Sequence, residues 1–505
     1  MLSNIKSTIR NSLIYGLGNL SVKLVGLVLI PVYTNPQFLS FRDYGVLGVM
    51  EATAQIVIAL LGLALTQAFT RWYWDKEYSK KQKTIFFTLL TFLFGISLLF
   101  VICLIPFTEQ FSQVLFKKTD FSFLIKLMLI SSAIQMLSII PLTLLKLQGK
   151  PGLYSTSNIL KLLVTLLFTI YLVVFNLKGL EGIYEAQIIG GVIFFVLLSR
   201  FIIRNIQARF ELKILGEMLK FSLPLILGSI SGVLLITFDR YTLNYLADLP
   251  DVGVYTLGYR IANTIKILVI VSVQLALSPM LFKMMDQPDS KRFYSKIMTY
   301  FSYLVILAVM FLSFFSLEIV KVFTASTKYW DAAKVIPFIS FALFFGMLKD
   351  TSLIGLQIIK KTKIIGTTVF LVAILNLLLN ILLIPRYNIM GASVATLLSQ
   401  IIFFIVIFVY AQKHYFIPYE ILKIAKMTFL ALVLYGLSLF SSDLNLVLRL
   451  VIKLMLIFSF PFLLYPLGFY EKIELDRLRG AWRKWRNPAK WKENLKKMND
   501  AGLSK

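Results

Sequence analysis

Residues 84–107 read TIFFTLLTFLFGISLLFVICLIPF, a stretch of 24 residues without a charged side chain. A helix needs about 20 apolar residues to cross the hydrocarbon core of a bilayer. In lipid only helices and closed barrels satisfy their backbone hydrogen bonds, and this stretch lacks the alternation of polar and apolar residues that barrel strands show. It therefore predicts a transmembrane helix.

Similar apolar runs follow one another along almost the whole chain. Of its 505 residues, 58% are hydrophobic and 15% are charged, whereas about 25% are charged in average soluble proteins. We predict an all-α integral membrane protein with fourteen transmembrane helices. The predicted spans are 11–33, 44–70, 84–107, 121–147, 153–177, 180–203, 219–246, 252–280, 295–317, 332–359, 364–384, 388–410, 423–440 and 445–468.

The net charge of +27, from 52 basic and 25 acidic residues, indicates an orientation. The basic residues concentrate in alternate loops, such as 71–83, on the same side as the N-terminus. Cytoplasmic loops of membrane proteins are enriched in Lys and Arg. We therefore expect both termini in the cytoplasm, a retained first helix, and no nucleic-acid partner. An even number of spans preserves this alternation, which favours fourteen over thirteen.

Several kinds of chemistry are excluded by composition. The single cysteine, Cys103, excludes a disulfide framework and a thiolate metal site, and the single histidine, His414, lies in a polar loop. No G-x-x-x-x-G-K-[ST] motif is present, so we expect no nucleotide hydrolysis through a P-loop. We expect a transporter without a cofactor, not an enzyme.

The chain repeats itself at a separation of 208–210 residues. The matched segments are 17–21 with 227–231, 43–46 with 251–254, 147–148 with 356–357, 182 with 391, and 193–195 with 402–404. Each repeat contains six spans, so both halves have the same orientation, an arrangement in which transporters bind substrate between two lobes. The predicted domains are an N-terminal lobe at 1–205, an amphipathic cytoplasmic linker at 206–218, a C-terminal lobe at 219–415, helices 13–14 at 416–470 and a basic amphipathic tail at 471–505.

Ionisable residues inside predicted spans are candidates for function because they are costly in lipid. Lys23 lies deep in span 1, on one face with Asn19. Span 8 contains Arg260, with Gln274 on nearly the same face, and Lys266 away from that face. We predict that these five side chains contribute to substrate binding.

Spans 2 and 7 add two acids and one more cation. Glu51 lies in span 2, and span 7 contains Asp239 followed by Arg240. Arg240 either has a structural role, in which it neutralises Asp239 or reaches the outer interface, or it joins the substrate-binding residues. The resulting surplus of cations suits an anionic ligand, such as pyrophosphate on a polyprenol carrier. Glu51 either pairs with a cavity cation or titrates as a coupling site, and Asp239 is the second candidate for coupling to a proton or sodium gradient.

The tail after Gly468 is rich in basic residues. Leu475, Leu478, Trp482 and Trp485 follow helical spacing. Basic residues and tryptophans together suit a surface helix on anionic membrane lipids, and a solvated tail is the alternative.

Two groups of motifs resemble the polysaccharide-biosynthesis flippases of the multidrug/oligosaccharidyl-lipid/polysaccharide exporter superfamily. In the second half these are Phe221-Ser222-Leu223-Pro224-Leu225-Ile226-Leu227-Gly228, the segment 238–245, and Val252-Gly253-Val254-Tyr255. In the first half they are Gly16-Leu17-Gly18-Asn19 and Asp43-Tyr44-Gly45-Val46. The resemblance covers about residues 5–470 and implies two six-helix lobes with alternating access.

The resemblance also implies a function. It predicts a flippase of a bacterial inner membrane that moves an undecaprenyl-pyrophosphate-linked oligosaccharide, such as an O-antigen or capsule unit, to the outer leaflet. The polymerase and glycosyltransferases of the same pathway are the expected partners. Lys23 and Arg260 are the positions that match the cationic cavity residues of relatives moving a peptidoglycan precursor. A flippase for that precursor and a multidrug or cation antiporter remain the alternatives.

Overall fold

The computed structural model describes residues 26–285, 287–359, 361–472 and 475–476, and the regular elements in these ranges are helices. The α-helices are α1 Ile30–Tyr33, α2 Phe41–Gly62, α3 Leu65–Trp74, α4 Gln82–Leu104, α5 Thr108–Phe116, α6 Ser122–Leu147, α7 Pro151–Ile170, α8 Gly179–Asn205, α9 Leu212–Leu246, α10 Leu249–Ala262, α11 Val271–Lys283, α12 Ser290–Phe314, α13 Ser316–Phe323, α14 Ala332–Ile358, α15 Thr362–His414, α16 Ile421–Leu439 and α17 Leu446–Leu463. Five-residue π-helical segments, Tyr171–Phe175 and Lys266–Ile270, follow α7 and precede α11.

The predicted membrane spans are confirmed in the described ranges. Twelve helical stretches there are long and apolar enough to cross a membrane. One of them, α15, consists of two helices that meet at Asn388, which has φ 51° and ψ −128°. Predicted spans 2–14 therefore each correspond to a helix, while span 1 at 11–33 lies largely outside the described residues. The all-α membrane fold is confirmed.

The internal repeat is confirmed by the way the helices pack. In the first half α6 lies against α2, α4 and α8, and in the second half α14 lies against α10, α12 and α15. These two sets of contacts join equivalent spans. Gly182 and Gly391, which the repeat pairs, also have equivalent roles. A Cβ atom on Gly182 would lie 3.0 Å from Leu172 Cβ, and one on Gly391 would lie 2.4 Å from the carbonyl oxygen of Leu383. Each glycine therefore permits its helix to approach the preceding span closely.

The predicted surface helix between the lobes is not formed as a separate element. Residues 206–211 have no regular structure, and residues 212–218 form the first two turns of α9. Ile214, Leu215 and Met218 are 2%, 5% and 1% exposed within the main apolar core. Their apolar face is therefore buried in the protein, which explains why the helix continues through the predicted linker.

The chain divides into two compact units, Met1–Pro418 and Tyr419–Lys505. The first contains both predicted lobes. In the second, α16 packs against α17, and Lys426 Nζ donates a hydrogen bond of 3.0 Å to the carbonyl of Leu467. Leu478, Trp482 and Trp485 of the predicted tail helix lie outside the described residues.

Candidate functional site at the lobe interface

The two lobes meet where α2 crosses α10, close to the point where each helix begins. A Cβ atom on Gly45 would lie 1.8 Å from the carbonyl oxygen of Leu249, and one on Gly48 would lie 2.5 Å from Thr256 Oγ1. From the other helix, a Cβ atom on Gly253 would lie 3.1 Å from the backbone nitrogen of Gly45. Glycine thus permits a close approach of two repeat-related helices.

An aromatic cluster, which we call the closure, fills the interface at this end and consists of Tyr33, Phe41, Tyr44 and Tyr329. Tyr329 of the second lobe contacts Phe41 and Tyr44 of the first edge-on, with ring centroids 4.8 and 5.5 Å apart. Tyr33, Tyr44 and Tyr329 are at most 5% exposed. The backbone nitrogen of Ala325 also donates a hydrogen bond of 3.1 Å to Thr34 Oγ1. The lobes are therefore packed together at this end.

Beneath the closure, an ion pair joins the lobes. Arg260 Nη2 of α10 donates to both carboxylate oxygens of Glu51 in α2, at 2.7 Å each. The side chains are 16% and 37% exposed, respectively. The guanidinium lies 5.8 Å from the ring of Tyr44, and a Cβ atom on Gly26 would lie 3.9 Å from Arg260 Cδ. Residues from predicted spans 1, 2 and 8 therefore surround one arginine.

A second ion pair lies inside the second lobe. Asp239 and Arg240 of α9 are 1% and 8% exposed, and Arg240 Nη1 donates to Asp239 Oδ1 at 3.0 Å. The hydroxyl of Tyr255 donates to Asp239 Oδ2 and lies 3.4 Å from Thr396 Oγ1. The Arg240 guanidinium is 4.3 Å from the centroid of the Tyr259 ring. Arg240 thus neutralises Asp239, one of the two roles considered for it.

The structure brings together only some of the predicted site residues. Lys266 begins a π-helical segment and is exposed. Gln274 lies further along the same span, where its Nε2 donates to Asp350 Oδ2 at 3.1 Å. Lys23 and Asn19 lie outside the described residues. The predicted set therefore separates into the interlobe pair of Glu51 and Arg260, the buried pair of Asp239 and Arg240, and two positions further along span 8.

The pairing of the acids changes the charge argument. Both acids in these spans are bonded to arginines, at 2.7 Å and 3.0 Å. Arg260 and Arg240 therefore contribute no net positive charge in this conformation, and the predicted surplus rests on the two lysines. A ligand phosphate at Arg260 would meet a carboxylate that already occupies one of its nitrogens, Nη2.

Sequence analysis missed the tyrosines that contact the buried ion pair, and it missed two buried amides. Tyr255 and Tyr259 lie one turn apart on α10 and contact Asp239 and Arg240. Asn376 and Asn380 in α15 are also buried, and Asn380 Nδ2 donates to Asn376 Oδ1 at 3.1 Å. Two amides four residues apart in an apolar span were a detectable signal, since polar residues in membrane helices face the protein interior.

At the other end of the interface, polar contacts join α3 and the following loop to Glu211 and to the first turns of α9. The hydroxyl of Tyr78 donates to Glu217 Oε2 at 2.6 Å, and Lys81 Nζ donates to Glu211 Oε2 at 2.9 Å. The Arg71 guanidinium lies 4.7 Å from the ring centroid of Phe221. We call these contacts the latch. The hydrogen bond to Glu217 raises the pKa of Tyr78 to about 12, because a nearby carboxylate opposes ionisation of the phenol.

Two similar lobes joined across one interface, with charged side chains at membrane depth, define a multi-pass membrane protein with the architecture of a transporter. The family model described as "Polysaccharide biosynthesis protein" matches residues 8–285, more than half of the chain. The chain belongs to this family, which confirms the resemblance seen in its motifs. A comparison with curated proteins gives no match.

Solved structures with the same fold are transporters and flippases. The lipid II flippase MurJ, in an inward closed conformation, is 17% identical with a TM-score of 0.73, covering 91% of this chain and 100% of the MurJ chain. The MATE transporter VcmN of Vibrio cholerae, solved as a mutant, is 14% identical with a TM-score of 0.56, covering 81% and 96%. A MOP superfamily transporter from Pyrococcus furiosus is 14% identical with a TM-score of 0.58, covering 81% and 95%. These similarities establish the fold.

Proposed function

We propose that this protein is a flippase that moves an undecaprenyl-pyrophosphate-linked oligosaccharide, an O-antigen, capsule or related unit, from the inner to the outer leaflet of a bacterial inner membrane. Both termini lie in the cytoplasm, and the closure faces outside. Membership of the polysaccharide biosynthesis family supports a role in surface polysaccharide. The similarity to a lipid II flippase over 91% of the chain supports a lipid-linked substrate.

The observation that carries the proposal is the ion pair between Arg260 and Glu51 at the lobe interface. A guanidinium binds phosphate oxygens in the same planar, two-point manner in which it binds a carboxylate. The pyrophosphate therefore competes with Glu51 for Arg260. When it displaces Glu51, one contact that holds the lobes together beneath the closure is lost. Substrate binding thus favours separation of the lobes on the outer side, as alternating access requires.

The remaining predicted residues have supporting roles in this proposal. Lys23 and Asn19 supply further phosphate contacts from span 1, and Lys266 and Gln274 act along span 8. Glu51 becomes a coupling site for a proton or sodium ion once Arg260 binds phosphate, since its carboxylate is then unpaired. Asp239, paired with Arg240, is the second proposed coupling site. The polymerase and glycosyltransferases of the pathway, and anionic lipids at the tail, remain proposed partners.

The test uses a strain in which the gene is deleted and replaced by variants. We expect Arg260→Ala to abolish surface polysaccharide and to accumulate lipid-linked oligosaccharide on the inner leaflet, because the phosphate loses its bidentate partner. Arg260→Lys should retain part of the function, since a point charge replaces the planar fork. The matched control is Arg386→Ala, which changes an exposed arginine of α15.

The same strains separate the proposal from its alternative. A cation antiporter would need Glu51 or Asp239 and would not need Arg260. If the Arg260→Ala strain keeps normal surface polysaccharide at normal protein level, the phosphate role of Arg260 is wrong. A deletion strain that becomes sensitive to cationic dyes while its surface glycans stay normal would establish the antiporter instead.

A further inference from the structure

A separate cavity of about 350 Å³ lies within the second lobe, between α11, α12 and α14. Its volume is within the range of roughly 300–1,000 Å³ found for small-molecule sites. One part of its wall is polar, with Gln274, Asp350 and Gln357, and another part is apolar, with Leu277 and Leu353. Mostly apolar walls with a few convergent polar groups are typical of ligand sites.

The carboxylate in this cavity, Asp350, is neutralised by the adjacent lysine. Lys349 Nζ lies 2.6 Å from Asp350 Oδ1, and Gln274 Nε2 donates to Asp350 Oδ2 at 3.1 Å. The Lys349 side chain is 18% exposed and lies 4.7 Å from the Phe403 ring centroid. The adjacent carboxylate disfavours a phosphate here, and the lysine disfavours a cation. The cavity therefore offers a few hydrogen-bonding groups and little net charge.

We infer that this cavity binds a sugar ring of the lipid-linked head group. Amide side chains donate hydrogen bonds to hydroxyl groups and accept from them, and a carboxylate accepts from them. Apolar side chains such as Leu277 and Leu353 suit the C–H faces of a sugar ring. An uncharged, hydroxyl-rich ligand matches this combination better than a drug cation or a pyrophosphate does. The inference rests on the proposed function, because it assigns one part of the same substrate.

The position of the cavity relative to Arg260 fits one extended ligand. Gln274 lies fourteen positions after Arg260 in the same span, which corresponds to about 20 Å along a helix. Gln357 lies close to the C-terminal end of α14, and α11 runs on to Lys283, so the cavity is at the end of the lobe that we propose to be cytoplasmic. A pyrophosphate at Arg260 and a sugar in the cavity would therefore be bound by separate parts of one span.

The test measures binding of two lipids to the purified full-length protein in nanodiscs. One is sugar-free polyprenyl diphosphate, and the other is the lipid-linked oligosaccharide extracted from the deletion strain. We expect Asp350→Asn to weaken binding of the glycosylated lipid by about tenfold, as for loss of one hydrogen bond to a charged group. Gln357→Ala, at an exposed position, should weaken it by about two- to tenfold. Neither variant should change binding of the sugar-free lipid.

The control variant is Gln113→Ala, which changes an exposed glutamine in α5 of the other lobe and should bind both lipids normally. If Asp350→Asn and Gln357→Ala both bind the glycosylated lipid as tightly as the unchanged protein, the sugar site is wrong while the flippase proposal stands. If the unchanged protein binds neither lipid, the flippase proposal fails and the sugar site fails with it. If the Arg260→Ala variant binds the sugar-free lipid as tightly as the unchanged protein does, the phosphate role of Arg260 is wrong.

Discussion

Substituting alanine for Gly45 should shift the protein towards a conformation that is open on the outer side. The new Cβ atom would lie 1.8 Å from the carbonyl oxygen of Leu249 and 2.6 Å from its carbonyl carbon. Carbon and oxygen atoms normally approach to about 3.3 Å, so α10 must retreat by roughly 1.5 Å. Because the obstructing atoms belong to the backbone, no side-chain rotation relieves the clash.

The size of the shift follows from the cost of overpacking. Extra atoms in a well-packed interface cost about 1–3 kcal/mol. The clash lies between the two lobes and disappears when they separate at this end. If that cost falls on the closed state alone, the ratio of open to closed protein rises by about 5- to 150-fold. The variant should therefore change conformation while remaining folded.

The assay measures labelling of Thr53→Cys by a membrane-impermeant maleimide added from the side on which the closure lies. Exposed Cys103 is first replaced by serine. Thr53 suits this purpose because its hydroxyl lies 2.8 Å from that of Tyr241 across the lobe interface. We expect faster labelling with Gly45→Ala than with Gly95→Ala, where nothing lies within 4 Å of the new Cβ atom. Equal labelling rates in two folded proteins would refute the reasoning.

Two further predictions concern the latch and the buried ion pair. Because the folded-state pKa of Tyr78 is raised to about 12 from its ordinary value of 10, its contribution to stability is complete below pH 10 and is lost as the pH rises through 12. The melting temperature of Tyr78→Phe should fall less steeply over that interval than that of the unchanged protein, and parallel curves would show that the hydrogen bond to Glu217 contributes nothing. Asp239→Asn should destabilise the protein by about 3–5 kcal/mol in a denaturant titration, because it leaves the buried Arg240 unpaired. The double variant with Arg240→Met should recover most of this loss, and no recovery would mean that Asp239 stabilises the protein through other contacts.

Most of the fold could be predicted from the sequence because the bilayer imposes a simple rule on composition. A span needs about 20 apolar residues, and uninterrupted runs of that length are directly visible. The failure at 206–218 has a physical cause. Ile214, Leu215 and Met218 form an apolar face, and periodicity alone does not distinguish burial in a protein core from burial at a membrane surface.

The site was less predictable because sequence position does not show which charges are paired. Counting charges gave a cationic cavity, whereas the arginines at 240 and 260 are each bonded to a carboxylate. The pairing of Asp239 with its neighbour Arg240 was one of two roles considered. Pairing of Glu51 with a cavity cation was also considered, but the charge count did not identify Arg260, more than 200 positions away, as its partner.

The repeat itself contains the information that would have predicted the interlobe pair. Two lobes related by an axis along the membrane normal place equivalent residues at the same depth, and α2 and α10 meet at the equivalent glycines Gly45 and Gly253. Counting from these glycines, Glu51 is equivalent to residue 259, next to Arg260. A carboxylate and a guanidinium at nearly the same depth on two touching helices are expected to pair. An asymmetric pair at a symmetric crossing also distinguishes the two lobes, since the first lobe contributes the carboxylate and the second the guanidinium.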